Sequence, residues 1–90
     1  MPNEYAKQIV KNHRLFDGRS GLSSWPEGYN DEMKKFILWL DEYEQKTACG
    51  VRVMQVKMKF GYLTIYIDIP EKKDESGKYG SEIYEKINEL

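Results

Sequence analysis

Four side chains near the middle of the chain could do chemistry together. Lys57 and Lys59 alternate along one extended segment, and Tyr62 and Tyr66 alternate along the next. Ammonium groups interleaved with aromatic rings can meet phosphates while stacking on bases. The same mixture can anchor a protein contact. Trp25 and Tyr29 form a second candidate contact, set in Trp25-Pro26-Glu27-Gly28-Tyr29. That stretch reads either as a turn laying an aromatic over the core or as an exposed anchor for a partner. The candidate interaction surface is therefore Lys57, Lys59, Tyr62, Tyr66, Trp25 and Tyr29.

Other chemistries find no residues to carry them. His13 is the one histidine and Cys49 the one cysteine, far apart in sequence, without CxxC or HxxxH spacing for a metal. The acidic group Asp41, Glu42 and Glu44 sits on the solvent side of a helical pattern and lacks calcium-loop spacing. His13 lies beside an apolar helical stripe with no nucleophile in view, which reads as a hydrogen-bonded structural histidine. Cys49 precedes Gly50 at a helix end, where the negative pole disfavours the thiolate that nucleophilic chemistry needs. Gly18-Arg19-Ser20-Gly21 is too short for a phosphate loop and does not follow a strand. The expectation is no catalytic residue, no cofactor and no metal, with an enzyme of unfamiliar site ranked last.

The elements that must position Lys57, Lys59, Tyr62 and Tyr66 follow from a period of two. With Phe60-Gly61 as a two-residue turn, Lys59 faces Tyr62, Met58 faces Leu63, Lys57 faces Thr64, Val56 faces Ile65, Gln55 faces Tyr66 and Met54 faces Ile67. Met54, Val56, Met58, Leu63, Ile65, Ile67 and Ile69 then share one face. Val53, Gln55, Lys57, Lys59, Tyr62, Thr64, Tyr66 and Asp68 share the other. A one-residue slip would scramble that sorting.

A helix over 30–48, with Met33, Phe36, Ile37, Leu40 and Tyr43 in one stripe, matches the hairpin in length and covers its aliphatic face. Asn30 reads as its N-cap and Gly50 as the residue after its end. A first helix spans about 3–13, capped by Asn3. A C-terminal helix starts near Ser81, with Ile83, Ile87 and Leu90 as its stripe. Residues 22–25 suggest a short third strand, and 70–80 a flexible loop. The expected fold is α+β in two layers, order α-α-β-β-α, with the 51–69 hairpin packed by the 30–48 helix in one domain over 1–90.

Fourteen basic and 15 acidic residues leave a net charge of −1, so the total charge argues against nucleic acid as a partner. A single cysteine and the absence of a long apolar run point to a cytoplasmic protein without a membrane span. The stretch Phe60-Gly61-Tyr62-Leu63-Thr64-Ile65 follows part of the RNA-recognition strand motif. It departs at the missing glycine before Phe60, at Ile65, and in having no matching first strand.

Gly28-Tyr29-Asn30-Asp31, a helix, and then Gln55-Val56-Lys57-Met58-Lys59-Phe60-Gly61-Tyr62-Leu63-Thr64-Ile65-Tyr66 resemble a group of small bacterial and phage proteins of uncharacterised function. Their pattern runs Gly-Trp, a helix, then Gln-Val-Lys-Glu-Lys-Phe-Gly-x-Leu-Arg-Phe-Tyr. Leu15-Phe16 also fits. Tyr29 stands for the Trp, Met58 for the Glu, and Thr64-Ile65 for the Arg-Phe. The resemblance implies a hairpin and a phage or prophage accessory setting, and carries over no catalytic residue. The functional expectation is a small non-enzymatic binding protein acting on a protein partner. A weak nucleic-acid module using the outer hairpin face is the alternative, and pairing of two copies through a hairpin edge is a further partner expectation.

Overall fold

The structure, a computed structural model, describes residues 3–16 and 23–90. Within them the order is α1 (Glu4–Asn12), a 3-10 turn (Glu27–Tyr29), α2 (Asn30–Thr47), β1 (Arg52–Lys59), β2 (Tyr62–Asp68), a second 3-10 turn (Glu71–Lys73) and α3 (Lys78–Asn88). This is the α-α-β-β-α arrangement, with an antiparallel two-stranded sheet under helices.

α2 is the central helix. Met33, Phe36, Ile37 and Leu40 recur at helical spacing and are buried. They pack with Val51, Val53, Val56 and Ile65 of the hairpin and Ile83 and Ile87 of α3 in one core. Each such side chain, fully withdrawn from water, stabilises the fold by about 1.5–3 kcal/mol before ordering entropy is subtracted. On the flank of α2, Trp39 stacks on Tyr43 with centroids 4.9 Å apart, and Tyr43 donates a short hydrogen bond to Glu82 of α3. Burial and that carboxylate hold the Tyr43 phenol well above its usual pKa. Leu38 projects outward from α2, as its position among charged residues predicts.

The helix ends differ from the sequence reading in three places. Asn30 is not a cap: Tyr29 precedes the helix, and the Asn30 Oδ1 accepts from Asn3 Nδ2 at 2.8 Å and from Trp25 Nε1 at 2.9 Å. Ala48, at φ 53°, takes the left-handed position that ends α2, two residues before Gly50. Gly50 is needed for a different reason, because at φ 75° its Cβ would sit 3.3 Å from Pro70 Cδ. α3 begins at Lys78 and not at Ser81, since Asp74 reaches forward to accept from Tyr79 N at 2.9 Å and Gly80 N at 3.1 Å. The 70–80 stretch, read as a loop, thus carries a 3-10 turn and the first turn of α3. Leu90, read as part of the α3 stripe, is exposed.

The hairpin keeps the expected register from the turn to Gln55–Tyr66 and then departs from it. Val53, not Met54, pairs with Ile67, because Met54 is an extra residue in a β-bulge. The bulge turns Val53 from the expected outer face to the core, where it is 1% exposed. Of the third strand expected at 22–25, Leu22 lies outside the described residues and 23–25 form no strand. Ser23 and Ser24 instead give single bonds to the free edge of β1: Val56 N donates to Ser23 Oγ at 2.9 Å, and Ser24 N donates to Val56 O at 3.0 Å. Further down that edge, Val53 N donates to Leu15 O at 2.6 Å, beside a parallel bridge between Phe16 and Val53. Two short segments thereby satisfy backbone groups that a strand would otherwise have paired.

Candidate functional site

The two halves of the hairpin sit in different environments. From Val51 to Val56 every residue is buried or half-buried, whereas 57–62 are all exposed. Leu63 and Thr64 are half-buried, Leu63 against the core, and only the run 57–62 at the end of the sheet is exposed on both faces. Met58 was expected on the covered face and is 37% exposed. Neither terminal helix closes over Lys57, Lys59 or Tyr62, so three of the expected surface residues stand in solvent together. Tyr66, on the same face, is exposed along its margin.

The tip is held in an unfavourable conformation. Phe60 has φ 53° and Gly61 has φ 80°, the positive pair of a type I′ turn. Such turns favour Asn, Asp or Gly at the first position, because a side chain in the left-handed region costs about 1–2 kcal/mol. Phe60 occupies that position and is 89% exposed, so no burial offsets the strain. Tyr62, directly after the turn, is 76% exposed. Lys59 Nζ lies 6.0 Å from the centroid of the Phe60 ring, and Lys57 Nζ lies 5.5 Å from that of Tyr66.

Charge is segregated along the chain. Residues 52–67 hold three basic and no acidic side chains, and the remainder holds 11 basic and 15 acidic. Arg52, at the base, lies 3.5 Å from Glu44 of α2. Lys57 and Lys59 have no ion-pair partner among the described residues. The near-neutral total thus conceals a positive tip on an acidic body.

Trp25 and Tyr29 do not form the exposed pair that the sequence allowed. Trp25 is 2% exposed, edge-on to Tyr5, with its indole N–H satisfied by Asn30. Tyr29 is half-buried against the core. Burial, not partner binding, explains this stretch.

His13 and Cys49 are likewise structural. His13 Nδ1 accepts from Leu15 N at 3.2 Å, and the ring meets Phe16 edge-on. Burial lowers the His13 pKa, opposed by the Asp41 carboxylate and assisted by the neighbouring Arg14. The Cys49 thiol is buried in the core. Among the described residues no group of three His, Cys, Asp or Glu side chains could hold a metal ion. A groove of about 310 Å³ between α2 and α3 is lined by Glu32, Lys35, Phe36, Lys86, Glu89 and Leu90. It holds no histidine, cysteine, serine or threonine.

Phe60 and Met58 are exposed at this end and lie outside the surface expected from the sequence. The sequence places Phe60 in the turn, and a bulky aromatic at a position demanding positive φ is itself a signal. No helix among the described residues is long and apolar enough to cross a membrane. Comparison with family models, curated proteins and solved structures finds no match.

Proposed function

We propose that this chain is a non-enzymatic binding protein that meets its partner with the distal end of the hairpin. One observation carries the reading: the run 57–62 is exposed on both faces and places Phe60, strained and almost wholly solvated, at its tip. Natural sequences keep local strain where surrounding structure enforces it, and such strain concentrates at functional positions. Large exposed aromatics beside cations are also the residue types that dominate contact energetics. An accessory role in a phage or prophage setting, implied by the resemblance of the 55–66 stretch, belongs to the same reading.

The test is site-specific photocrosslinking in the native host. A photoreactive side chain at position 62 should yield a discrete high-mass adduct. The same group at position 38, exposed on α2, should not. Equal labelling from both positions, or none from position 62, would sink the proposal. So would turnover of any member of a hydrolase and transferase substrate panel by the purified chain.

A further inference from the structure

Resting on that reading of the hairpin tip, we infer that its partner is single-stranded nucleic acid, bound along the face bearing Lys57, Lys59, Tyr62 and Tyr66. Lys59 pairs with Tyr62, Lys57 with Thr64, and Gln55 with Tyr66. Successive same-face rows of a sheet lie ~6.6 Å apart. The face therefore presents a ring and an ammonium in the first row, an ammonium in the second and a ring in the third. A strand lying along it meets rings and cations in alternation, which is the pattern of non-specific single-strand sites. Phe60 extends the platform past the turn.

Charge complementarity selects an anion. No acidic side chain occurs from 52 to 67, and the lysines lack ion-pair partners among the described residues. The remainder of the chain, 11 basic against 15 acidic side chains, is net negative, so long-range attraction of a polyanion favours the tip. The rings select the kind of anion. An acidic polypeptide would answer the two lysines and leave the exposed Tyr62 ring unused. A duplex keeps its base faces inside its own stack, and two lysines are few against its phosphate density. Unpaired bases satisfy both features. The footprint is short, and the one carboxamide on this face, Gln55, is half-buried in the third row, away from the exposed tip. Binding is therefore weak and indifferent to sequence.

Fluorescence anisotropy with labelled oligo(dT) and oligo(U) tests this at low ionic strength. Saturable binding is expected, with log affinity falling against log salt at a slope of about −1.4, two phosphates at about 0.7 each. Lys57→Ala/Lys59→Ala should weaken binding at least about tenfold and flatten the slope. Tyr62→Ala should weaken it about fivefold or more while leaving the slope intact, because stacking is lost and charge is not. Leu38→Ala on α2 should change nothing. The two probes distinguish RNA from DNA as the source of the strand. No saturable binding, a mixed-sequence duplex bound as well as the single strands, or polyglutamate displacing the probe with Tyr62→Ala indifferent, would each overturn the assignment. If binding is absent while position 62 still crosslinks in the host, the contact surface stands and only its nucleic-acid partner falls.

Discussion

The base and the tip of one hairpin obey opposite rules. At the base, Val51, Val53, Val56 and Ile65 are buried, the edge of β1 is satisfied by Leu15, Ser23 and Ser24, and a bulge at Met54 turns Val53 inward. At the tip, a phenylalanine holds a left-handed backbone with almost no burial, and two lysines lack ion-pair partners among the described residues. A strand pair by itself is marginal in water. The base supplies the stability that lets the tip keep residues chosen on other grounds. Local choices that contradict folding preferences, set in an otherwise consistent structure, are what the proposed contact role of the tip accounts for.

The contrast breaks if the base proves dispensable. Phe36→Ala removes the largest fully buried side chain of α2 above the sheet. It should cost about 3–5 kcal/mol in urea unfolding, enough to leave a chain of this size partly unfolded. A loss below about 1 kcal/mol would mean that the core does not clamp the hairpin base. Asn3→Ala should cost about 1–2 kcal/mol. Its side chain accepts from Ala6 N at the start of α1 and donates to Trp25 O and to Asn30 Oδ1, tying α1 to the segment that runs beside β1. An unchanged unfolding midpoint would remove that tie from the account.

Much of this contrast was legible in the sequence, and the part that was not has one cause. Period-two sorting located the turn and paired the strands correctly from Lys59–Tyr62 to Gln55–Tyr66. The same rule fits a regular strand through Met54 and so could not register the bulge, beside which Leu15 and Phe16 meet Val53. Asn30 at a helix start reads as a cap by local preference. Its carboxamide is taken instead by Asn3, 27 residues away, and by the Trp25 indole. Asp74 capping α3 from outside the helix has the same character. Periodicity reports local geometry, whereas each of these three features is a hydrogen bond or bridge to a residue off the periodic pattern. Exposure of the basic-aromatic face hinged on where the terminal helices dock, which is also long-range information.

Acidification probes the segment that flanks the base. The ordinary imidazole value is 6.5, and burial lowers it in the fold. The unfolded chain therefore takes up the His13 proton first as pH falls. This contribution to stability is complete above that value and is lost as pH drops through it toward the folded one. The neutral ring also accepts the Leu15 N–H, which a protonated ring cannot do. His13→Asn keeps an acceptor and removes the titration. Urea midpoints taken between about pH 7.5 and about pH 5 should fall more steeply for the native chain than for the variant. Parallel slopes would assign the pH dependence to the carboxylates instead.

The smallest effect is the sharpest for the comparison, because its sign is opposite. Phe60→Asn places a residue suited to the type I′ position where Phe60 sits at φ 53°. Relief of the left-handed strain should raise stability by about 0.5–1 kcal/mol, since an 89% exposed ring has little packing to lose. A scaffold residue would respond the other way. If Phe60 held the hairpin together by capping Met58 or the Lys59 stem, the substitution would destabilise the fold. A gain in unfolding midpoint, with weakened capture of the single-stranded probe by the same variant, separates the two roles in one protein. The tip then trades stability for contact, and the base under α2 makes that trade tolerable.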